Sequence, residues 1–371
     1  MAQRLRRSNG RLATSSGRTT TAVAPARTPN LRDVAKEAGV SVATVSLVLN
    51  NSERISQVTR DRVRTVMRDL DYQPNRLAQS LSGKYVKTVA ALLPDLRNAF
   101  ADAYFGALLS GIVDEAHDRD FKVLLEQAKP GYVKSNKHVE LFERRYVDGV
   151  LLLGHTDLNR YAADFANGGY PALVVDNRLE FEGGPTLDYV SSDYAKGAEQ
   201  VMNCLLQLGH RKIGLLQAAS EIATTRDVSG VWQRKLQQAG LNACDTLTED
   251  GQFTEQGGAA ATRRILRDHP DVTAIFAGND KMAIGAMHYL QRKGLSVPGD
   301  VSVVGFDDLP HAAFVVPSLT TVHLPLYEVG RRACGRLIER VEGRREAVTD
   351  LLNTHVILRD STAIAKTASR G

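Results

Sequence analysis

The chain of 371 residues has only three cysteines and no long uninterrupted apolar segment. Cys204, Cys244 and Cys334 are far apart and do not form the short C-x-x-C spacing of a zinc or redox site. No apolar run approaches the ~20 residues that a membrane-spanning helix needs. Residues 1–30 lack the apolar centre of a secretory signal peptide. We therefore expect a cytoplasmic protein with reduced thiols, no membrane association and no bound metal.

The sequence also lacks the short motifs of the common catalytic sites. It contains no G-x-x-x-x-G-K-[ST] phosphate-binding loop and no G-x-S-x-G nucleophile turn. Its nine histidines are scattered, and no pair has the H-E-x-x-H spacing. Asp307 and Asp308 could form an acid–base pair for glycoside hydrolysis, but adjacent residues of a strand point to opposite faces. We predict that the protein is not an enzyme and needs no cofactor.

Charged residues are distributed unevenly along the chain. Residues 1–84 contain 15 Lys and Arg against 6 Asp and Glu, a net charge of +9, whereas the remaining 287 residues contain 32 against 36, a net charge of −4. A basic segment of this kind favours binding to a polyanion, although a solvated charged surface has the same composition. Residues 1–30 contain no acid and no aromatic residue. This composition predicts a disordered basic tail, and a transit peptide has a similar one.

Residues 31–73 have the pattern of three short helices. In LRDVAKEAGV the apolar residues recur at i, i+3, i+4 and i+7, which is the spacing of one helix face. Gly39 permits a tight turn, and Ser41 is a suitable N-cap for a second helix predicted to run from Val42 to Asn50. The segment TRDRVRTVMRDLDY repeats the apolar spacing and predicts a third helix.

The second predicted helix has two faces with different chemistry. Val45, Val48 and Leu49 are predicted to pack within the bundle. The opposite face has short side chains, whose hydroxyls could donate to phosphate oxygens and whose small apolar groups could contact thymine methyl groups in a DNA groove. A generic helical hairpin is the alternative. The residues of this face are Ser41, Val42, Ala43, Thr44, Ser46, Leu47 and Asn50.

From Val86 onward, apolar runs alternate with amphipathic helical patterns. Buried strands that alternate with helices indicate parallel sheets with helices on both faces, and similar runs in two halves of this region indicate two lobes. Ligands bind beyond the carboxyl ends of such strands. The predicted strands are TVAALLP, KVLLEQ, DGVLLLG, PALVVD, KIGLLQ, AIFAGND and VSVVGFDD. Their ends carry Asp95, Asp176, Asn279, Asp280, Asp307 and Asp308.

The run AGVSVATVS, within a segment from Leu31 to Lys84, resembles the DNA-binding headpiece of the lactose-repressor (LacI/GalR) family of bacterial transcription regulators. QLGHRKIGLL, GNDKMAIGAMHYLQRKGLSVPGDVSVVGFDDLP and PSLTTVHLPLYEVGRRA resemble the periplasmic-binding-protein-like core of the same family. The resemblance implies a small all-α helix-turn-helix headpiece at 31–73 and a hinge helix at 74–84. It also implies an α/β core at 85–371, made of two doubly wound parallel-sheet lobes, with the chain passing between them near residues 190 and 321 and at the C-terminal strand.

The resemblance implies double-stranded DNA with a palindromic operator as one partner and a second copy of the chain as another. In the family, residues that match Val42, Ala43 and Leu47 reach the bases. Leu81 matches an apolar wedge that enters the minor groove, with Ala78 beside it. The predicted DNA-binding set is completed by Leu31, Asn50, Arg54 and Asn75.

The resemblance also implies that a small molecule bound between the lobes controls operator affinity. Asp227 stands where relatives have arginine, with Arg226 beside it, which favours a hydroxyl-rich ligand over a carboxylate. The segment PDLRNAFADAYFGALL leaves open whether Asn98–Phe100 or Asp102–Phe105 makes the contacts. Carboxylates with aromatic rings suit a sugar or sugar derivative; the alternative is a sugar-binding protein or sugar-processing enzyme on the same core. The predicted effector-binding residues are Asp95, Phe105, Asp176, Arg226, Asp227, Phe253, Asn279 and Asp307.

Overall fold

A computed structural model describes residues 29–49, 52, 54–72, 85–95, 101–154, 158–178, 187–218, 220–241, 247–347 and 349–366. The chain divides after residue 84 into two units. The predictions for residues 1–28, Asn50, Asn75, Ala78 and Leu81 lie outside the described residues.

The described residues of the first unit form three helices, α1 (Leu31–Glu37), α2 (Val42–Leu49) and α3 (Gln57–Asp69). Asn30 was predicted to belong to the disordered tail, but it is the N-cap of α1: its side chain accepts a hydrogen bond from the backbone N–H of Arg32 at 2.9 Å. This cap satisfies backbone donors that the first turn of a helix leaves unpaired.

The turn between α1 and α2 forms as the sequence predicts. Gly39 has a φ of 64°, which glycine adopts without a steric penalty. The Ser41 hydroxyl oxygen accepts from the N–H of Thr44 at 3.0 Å and caps α2. The bundle buries a small core, with Leu31 and Leu49 packed at its edge. The buried members are Val34, Ala35, Ala38, Val45, Val48 and Val63.

The second unit consists of alternating strands and helices. Its helices are α4 (Ala103–Asp118), α5 (Lys137–Glu143), α6 (Leu158–Gly168), α7 (Tyr194–Gln207), α8 (Ala223–Gln238), α9 (Glu255–Asp268), α10 (Asp280–Arg292) and α11 (Leu326–Val341), with a short 3-10 helix at Pro310–Ala313. Its strands are β1 (Thr88–Pro94), β2 (Lys122–Ala128), β3 (Gly149–Leu153), β4 (Ala172–Val175), β5 (Asp188–Ser192), β6 (Ile213–Gln217), β7 (Thr248–Asp250), β8 (Ala274–Ala277), β9 (Ser302–Val304), β10 (Thr321–His323), β11 (Thr349–Leu352) and β12 (His355–Ile357).

Ten of these strands form two parallel sheets, one in each lobe, and β10 and β12 form a separate antiparallel pair. The first has the order β11-β5-β4-β3-β1-β2, and the second has the order β7-β6-β8-β9. The residues of β3, β4 and β8 are all buried, as is typical of strands covered on both faces. In each sheet the chain first adds a strand on one side and then returns to the other side, between β1 and β3 and between β6 and β8.

The chain passes between the lobes at three places. β5 lies in the first sheet, and α7, which follows it, packs on α8 in the second lobe. β10 is followed by α11, which returns to pack on β3, β4 and β5. β11 then joins the first sheet, and β12 pairs antiparallel with β10.

Two glycines bring α4 and α11 into close backbone contact. A Cβ atom placed at Gly111 would lie 2.0 Å from the carbonyl oxygen of Tyr327, and one at Gly330 would lie 2.1 Å from that of Leu108. Side chains at these positions would therefore force the helices apart. The contact fixes α4, whose first turn faces the cavity described below.

The predicted fold class is confirmed: a small helical unit precedes an α/β unit with two parallel sheets. All seven apolar runs predicted as strands coincide with strands. β7 was not predicted, because its sequence TED contains no apolar run. Within the part of the chain that the structure describes, no helix is long and apolar enough to span a membrane.

Candidate functional site

A cavity of about 790 Å³ lies between the two lobes of the second unit. It is walled by the carboxyl ends of strands on either side of the points where the strand order reverses. Side chains that follow parallel strands converge at these points, which is where ligands bind in open α/β sheets. The predicted effector residues that line it are Asp95, Phe105, Asp176, Phe253, Asn279 and Asp307.

Asp176 follows β4 and has a φ of 52°. One carboxylate oxygen accepts from the backbone N–H of Ser192 at 2.8 Å. The other accepts from the hydroxyls of Tyr104 at 2.7 Å and Tyr194 at 2.6 Å. Burial and the charge of Asp176 raise the pKa of both tyrosines well above the ordinary value, so both hydroxyls remain protonated donors. Asp176 therefore holds two tyrosines in the cavity wall.

Asp307 lies on the segment between β9 and β10, with a φ of 122°. Its backbone N–H donates to the carbonyl of Val322 at 3.0 Å. The residue is 6% exposed and lines the cavity. Burial raises the pKa of Asp307 well above the ordinary range, and the charges of Asp280, Asp176 and Asp102 raise it further.

Asn279 and Phe253 are linked to each other on the second-lobe wall. The Asn279 side chain caps α10 by accepting from the N–H of Met282 at 2.8 Å, and its amide group donates to the carbonyl of Phe253 at 3.4 Å. Phe253 has a φ of 54° and is half-buried against the core. Across the cavity, Phe105 is a core residue whose ring also lines the wall. The cavity wall therefore carries an amide group and two aromatic rings in addition to its carboxyl groups.

Arg226 and Asp227 do not line the cavity, and the structure corrects this prediction. Both lie on α8, whose cavity-lining residues are Thr224, Thr225 and Val228. Because successive residues of a helix point about 100° apart, Arg226 and Asp227 do not point in the same direction as these three lining residues.

Two ion pairs join the lobes beside the cavity. Arg178, which follows β4, donates to both carboxylate oxygens of Asp227, with one of these hydrogen bonds at 2.7 Å. Lys281 on α10 donates to Asp102, the N-cap of α4. These side chains are 19–28% exposed, so solvent screens them less than a surface pair. They hold the two lobes at their present separation.

Reversing the charge of Arg178 is expected to separate the lobes. In Arg178→Asp the new carboxylate repels Asp227, and we expect a larger radius of gyration for the ligand-free protein by small-angle X-ray scattering. Adding Asp227→Arg should restore the wild-type scattering profile. We also expect the two substitutions to be coupled by about 1–3 kcal/mol in the free energy of unfolding. Arg234→Asp is a matched control, because Arg234 pairs with Glu199 inside the second lobe. An unchanged profile for Arg178→Asp would show that the pair does not hold the lobes.

The exposed face of α2 is a candidate nucleic-acid interface. Val42 is 41% exposed and Leu47 37% exposed, although both are apolar. Ala43 and Ser41 are also exposed, and Thr44 and Ser46 are half-buried. Of the other predicted DNA contacts that the structure describes, Arg54 is exposed and Leu31 is half-buried against the bundle core.

The chain matches known proteins over nearly its whole length. Residues 30–75 match the bacterial regulatory proteins of the lacI family, and residues 202–362 match the periplasmic binding protein-like domain. The chain is 32% identical over 344 residues to the HTH-type transcriptional regulator CelR of Thermobifida fusca, which covers 90% of this chain and 98% of CelR. The chain belongs to the LacI family.

Solved structures of LacI-family regulators share this fold. A CelR–cellobiose complex superposes with a TM-score of 0.69 at 31% identity, covering 90% of this chain and 99% of that one. A lac repressor dimer bound to operator and the anti-inducer ONPF superposes with a TM-score of 0.78 at 27% identity, covering 91% and 100%. The chain is thus an effector-controlled, DNA-binding transcriptional regulator of the LacI family, as its sequence predicted.

Several side chains around the cavity of this LacI-family protein were not predicted. Of the two segments left open by the sequence, Asp102–Phe105 lines the cavity, whereas Asn98–Phe100 lies outside the described residues. Tyr194 could have been found from its position directly after the strand that crosses between the lobes. The partnership of Arg178 with Asp227, 49 residues later, has no signal in the sequence.

Proposed function

We propose that the protein is a cytoplasmic, homodimeric repressor that binds a palindromic operator and is controlled by a neutral sugar or sugar derivative bound between its lobes. Residues 31–73 would contact the major groove, 74–84 would form the hinge in the minor groove, and 85–371 would bind the effector and dimerise. Ligand-dependent closure of the lobes would change the spacing of the two hinges and so the operator affinity.

The exposed face of α2 supports the DNA-binding part of the proposal. Its residues are short and apolar or carry hydroxyl groups, so the helix backbone can approach the base edges closely. Val42, Ala43 and Leu47 would then contact base edges and methyl groups, while Ser41, Thr44 and Ser46 would donate to phosphates. Arg54, which follows α2 in the chain, is exposed and adds a positive charge to this unit.

The cavity between the lobes is the observation that carries the effector part of the proposal. Its volume of about 790 Å³ is within the range for small-molecule sites. Four carboxyl groups and three lysines line it, and one of these lysines, Lys281, is paired with Asp102. Hydroxyl groups can pair with carboxyl and amide groups, while the C–H face of a sugar packs on Phe253 or Phe105. A solved structure of CelR is a complex with cellobiose, which is a neutral disaccharide.

Exposed apolar side chains support the homodimer. Phe314 is 84% exposed and Val316 83% exposed on the loop after the 3-10 helix. Val113 on α4 and Leu125 on β2 are exposed in the first lobe. Isolated exposed apolar residues are common, but Phe314 and Val316 are two residues apart on one loop, and exposed apolar patches often mark interfaces between proteins.

The cavity also favours binding over catalysis. Asp308 pairs with Arg359 at 2.6 Å and with His323 at 3.0 Å, and it does not line the cavity. Asp308 is therefore not placed to act with Asp307 on a bound ligand. A turnover assay with candidate sugars should detect no product.

Operator selection from random DNA, followed by binding at several salt concentrations, tests the proposal. We expect a palindromic consensus and a steep loss of affinity as salt rises, because phosphate contacts release counterions. Phe314→Glu should weaken dimerisation and lower the affinity for the full operator towards the affinity for a half-site. Ile364 is about equally exposed, and Ile364→Glu should leave both dimerisation and operator affinity unchanged. Tight binding of a monomer to a single half-site would contradict the homodimer.

A further inference from the structure

Two histidines from distant parts of the chain lie side by side on the short antiparallel strand pair beside the crossovers. His323 ends β10 and His355 begins β12, and the register of these strands places the two residues directly opposite each other. Their ring centroids are 5.0 Å apart, with an angle of 44° between the ring planes. Side chains at directly opposite positions of an antiparallel pair are close enough to hold one partner together. Neither histidine lines the cavity between the lobes.

Asp308 orients one of these two rings. Its Oδ2 atom lies 3.0 Å from Nδ1 of His323, and its Oδ1 atom accepts from the guanidinium group of Arg359 at 2.6 Å. Because a carboxylate oxygen can only accept, Nδ1 of the neutral ring carries the hydrogen and Nε2 keeps a lone pair. Histidines that bind metal ions commonly have a carboxylate on the other ring nitrogen, which fixes the tautomer in this way. His323 is therefore prepared to coordinate a cation through Nε2.

The separation of the two rings fits a shared metal ion. Imidazole nitrogen binds transition-metal ions at about 2.0–2.1 Å. Two rings on one ion then have centroids about 4.5–5.2 Å apart at the bond angles of square-planar or tetrahedral coordination. The observed 5.0 Å lies within this range. The side chain of His323 is 40% exposed and His355 is also exposed, so an ion can reach both rings from solvent.

The donor set decides which ions suit this position. Within the ranges that the structure describes, no three His, Cys, Asp or Glu side chains are grouped to hold a metal ion, so the protein supplies two imidazoles here. Water would complete the coordination, as in sites that keep open positions. Imidazole suits Zn²⁺, Ni²⁺ and Cu²⁺, whereas Mg²⁺ and Ca²⁺ prefer oxygen ligands. The chemistry therefore selects an exchangeable transition-metal ion.

We propose that His323 and His355 together bind one divalent transition-metal ion, such as Ni²⁺, Cu²⁺ or Zn²⁺. The ion bridges β10 and β12 and so stabilises the folded second unit. The expectation of no bound metal rested on short ligand spacings, and this pair comes from two strands that are far apart in the sequence. The proposal is independent of the effector and of DNA binding.

Calorimetric titration of the untagged, full-length protein with Ni²⁺ tests the site. We expect one ion per chain and a Kd at least about tenfold higher in His323→Asn and in His355→Asn, because each variant removes one of two nitrogen donors. An excess of Mg²⁺ should not displace the Ni²⁺. His288→Asn is the matched control, because His288 is an exposed histidine on α10, and its Kd should equal that of the wild type. An unchanged Kd in either of the other two variants, or no saturable binding by the wild type, would overturn the proposal.

Electron paramagnetic resonance with Cu²⁺ as the probe identifies the donors directly. The spectrum of the wild type should show the splitting of two imidazole nitrogens, and that of His355→Asn should show one nitrogen fewer. The wild-type spectrum needs no substitution, so it decides the question even if a variant disturbs the fold. Fewer than two nitrogen donors in the wild type would rule out the shared site.

Thermal unfolding links the ion to the strand pair. The Tm of the wild type should rise with Ni²⁺ concentration, because a ligand that binds only the folded state stabilises it. The Tm of His355→Asn should stay constant, and that of His288→Asn should follow the wild type. An equal rise in wild type and His355→Asn would place the stabilising ion elsewhere and contradict the proposal.

Discussion

Val42→Glu is expected to lower the affinity for operator DNA by at least about a hundredfold, because a like charge at an interface costs several kcal/mol. Val42 is exposed in the first turn of α2 and lies outside the buried core of the bundle. The glutamate would face the phosphates and base edges, whereas the thermal stability of the bundle should change little. Fluorescence anisotropy with a labelled operator fragment measures the effect.

Two further variants separate this effect from a general effect of charge. Val42→Thr keeps the shape and replaces one methyl group by a hydroxyl group, so it should alter base preference more than overall affinity. Ile364→Glu adds the same charge at an exposed aliphatic position of the second unit and should leave DNA affinity nearly unchanged. If Val42→Glu bound operator as tightly as wild type, this face of α2 would not be the DNA-binding surface.

Asp176→Ala is expected to abolish the response to effector and to destabilise the second unit. The substitution removes the acceptor of two tyrosine hydroxyls and one backbone N–H. Leaving a buried polar group unpaired costs about 1–3 kcal/mol, so we expect a loss of roughly 3–5 kcal/mol in the free energy of unfolding after relaxation. Denaturant unfolding measures the stability, and release of operator DNA by sugars measures the response.

Asp176→Asn is the matched variant for this prediction. Its amide keeps one acceptor oxygen for Ser192, and its NH2 group can donate to hydroxyl oxygens of Tyr104 and Tyr194. We therefore expect a much smaller loss of stability than for alanine. A negligible loss of stability in Asp176→Ala would mean that the carboxylate does not organise the tyrosines.

The sequence predicts the helices and strands better than it predicts which distant residues contact one another. Apolar runs such as DGVLLLG identify strands, and the spacing of Val45 and Val48 identifies the buried face of α2, because both signals are local. Asp176 was found from its position at the end of a strand. Its hydrogen bonds to residues 16, 18 and 72 positions away depend on how the sheets assemble, which no local pattern contains.

The same limit explains the error at Arg226 and Asp227. The resemblance to the family identifies a position on α8 where relatives have arginine, and Asp227 occupies it in this chain. An acid at that position can pair with a basic residue of the other lobe, and Arg178 provides one. The contact between Asp227 and Arg178 becomes visible only when both residues are placed in space.

The reciprocal coupling of DNA and effector tests the central claim most directly. A sugar panel that includes cellobiose is first screened by calorimetry, and operator affinity is then measured with and without the bound sugar. If the cavity controls the headpiece, sugar changes operator affinity by the same factor by which operator changes sugar affinity, because coupling free energy is reciprocal. Operator affinity that stays constant while the sugar saturates the cavity would contradict the account.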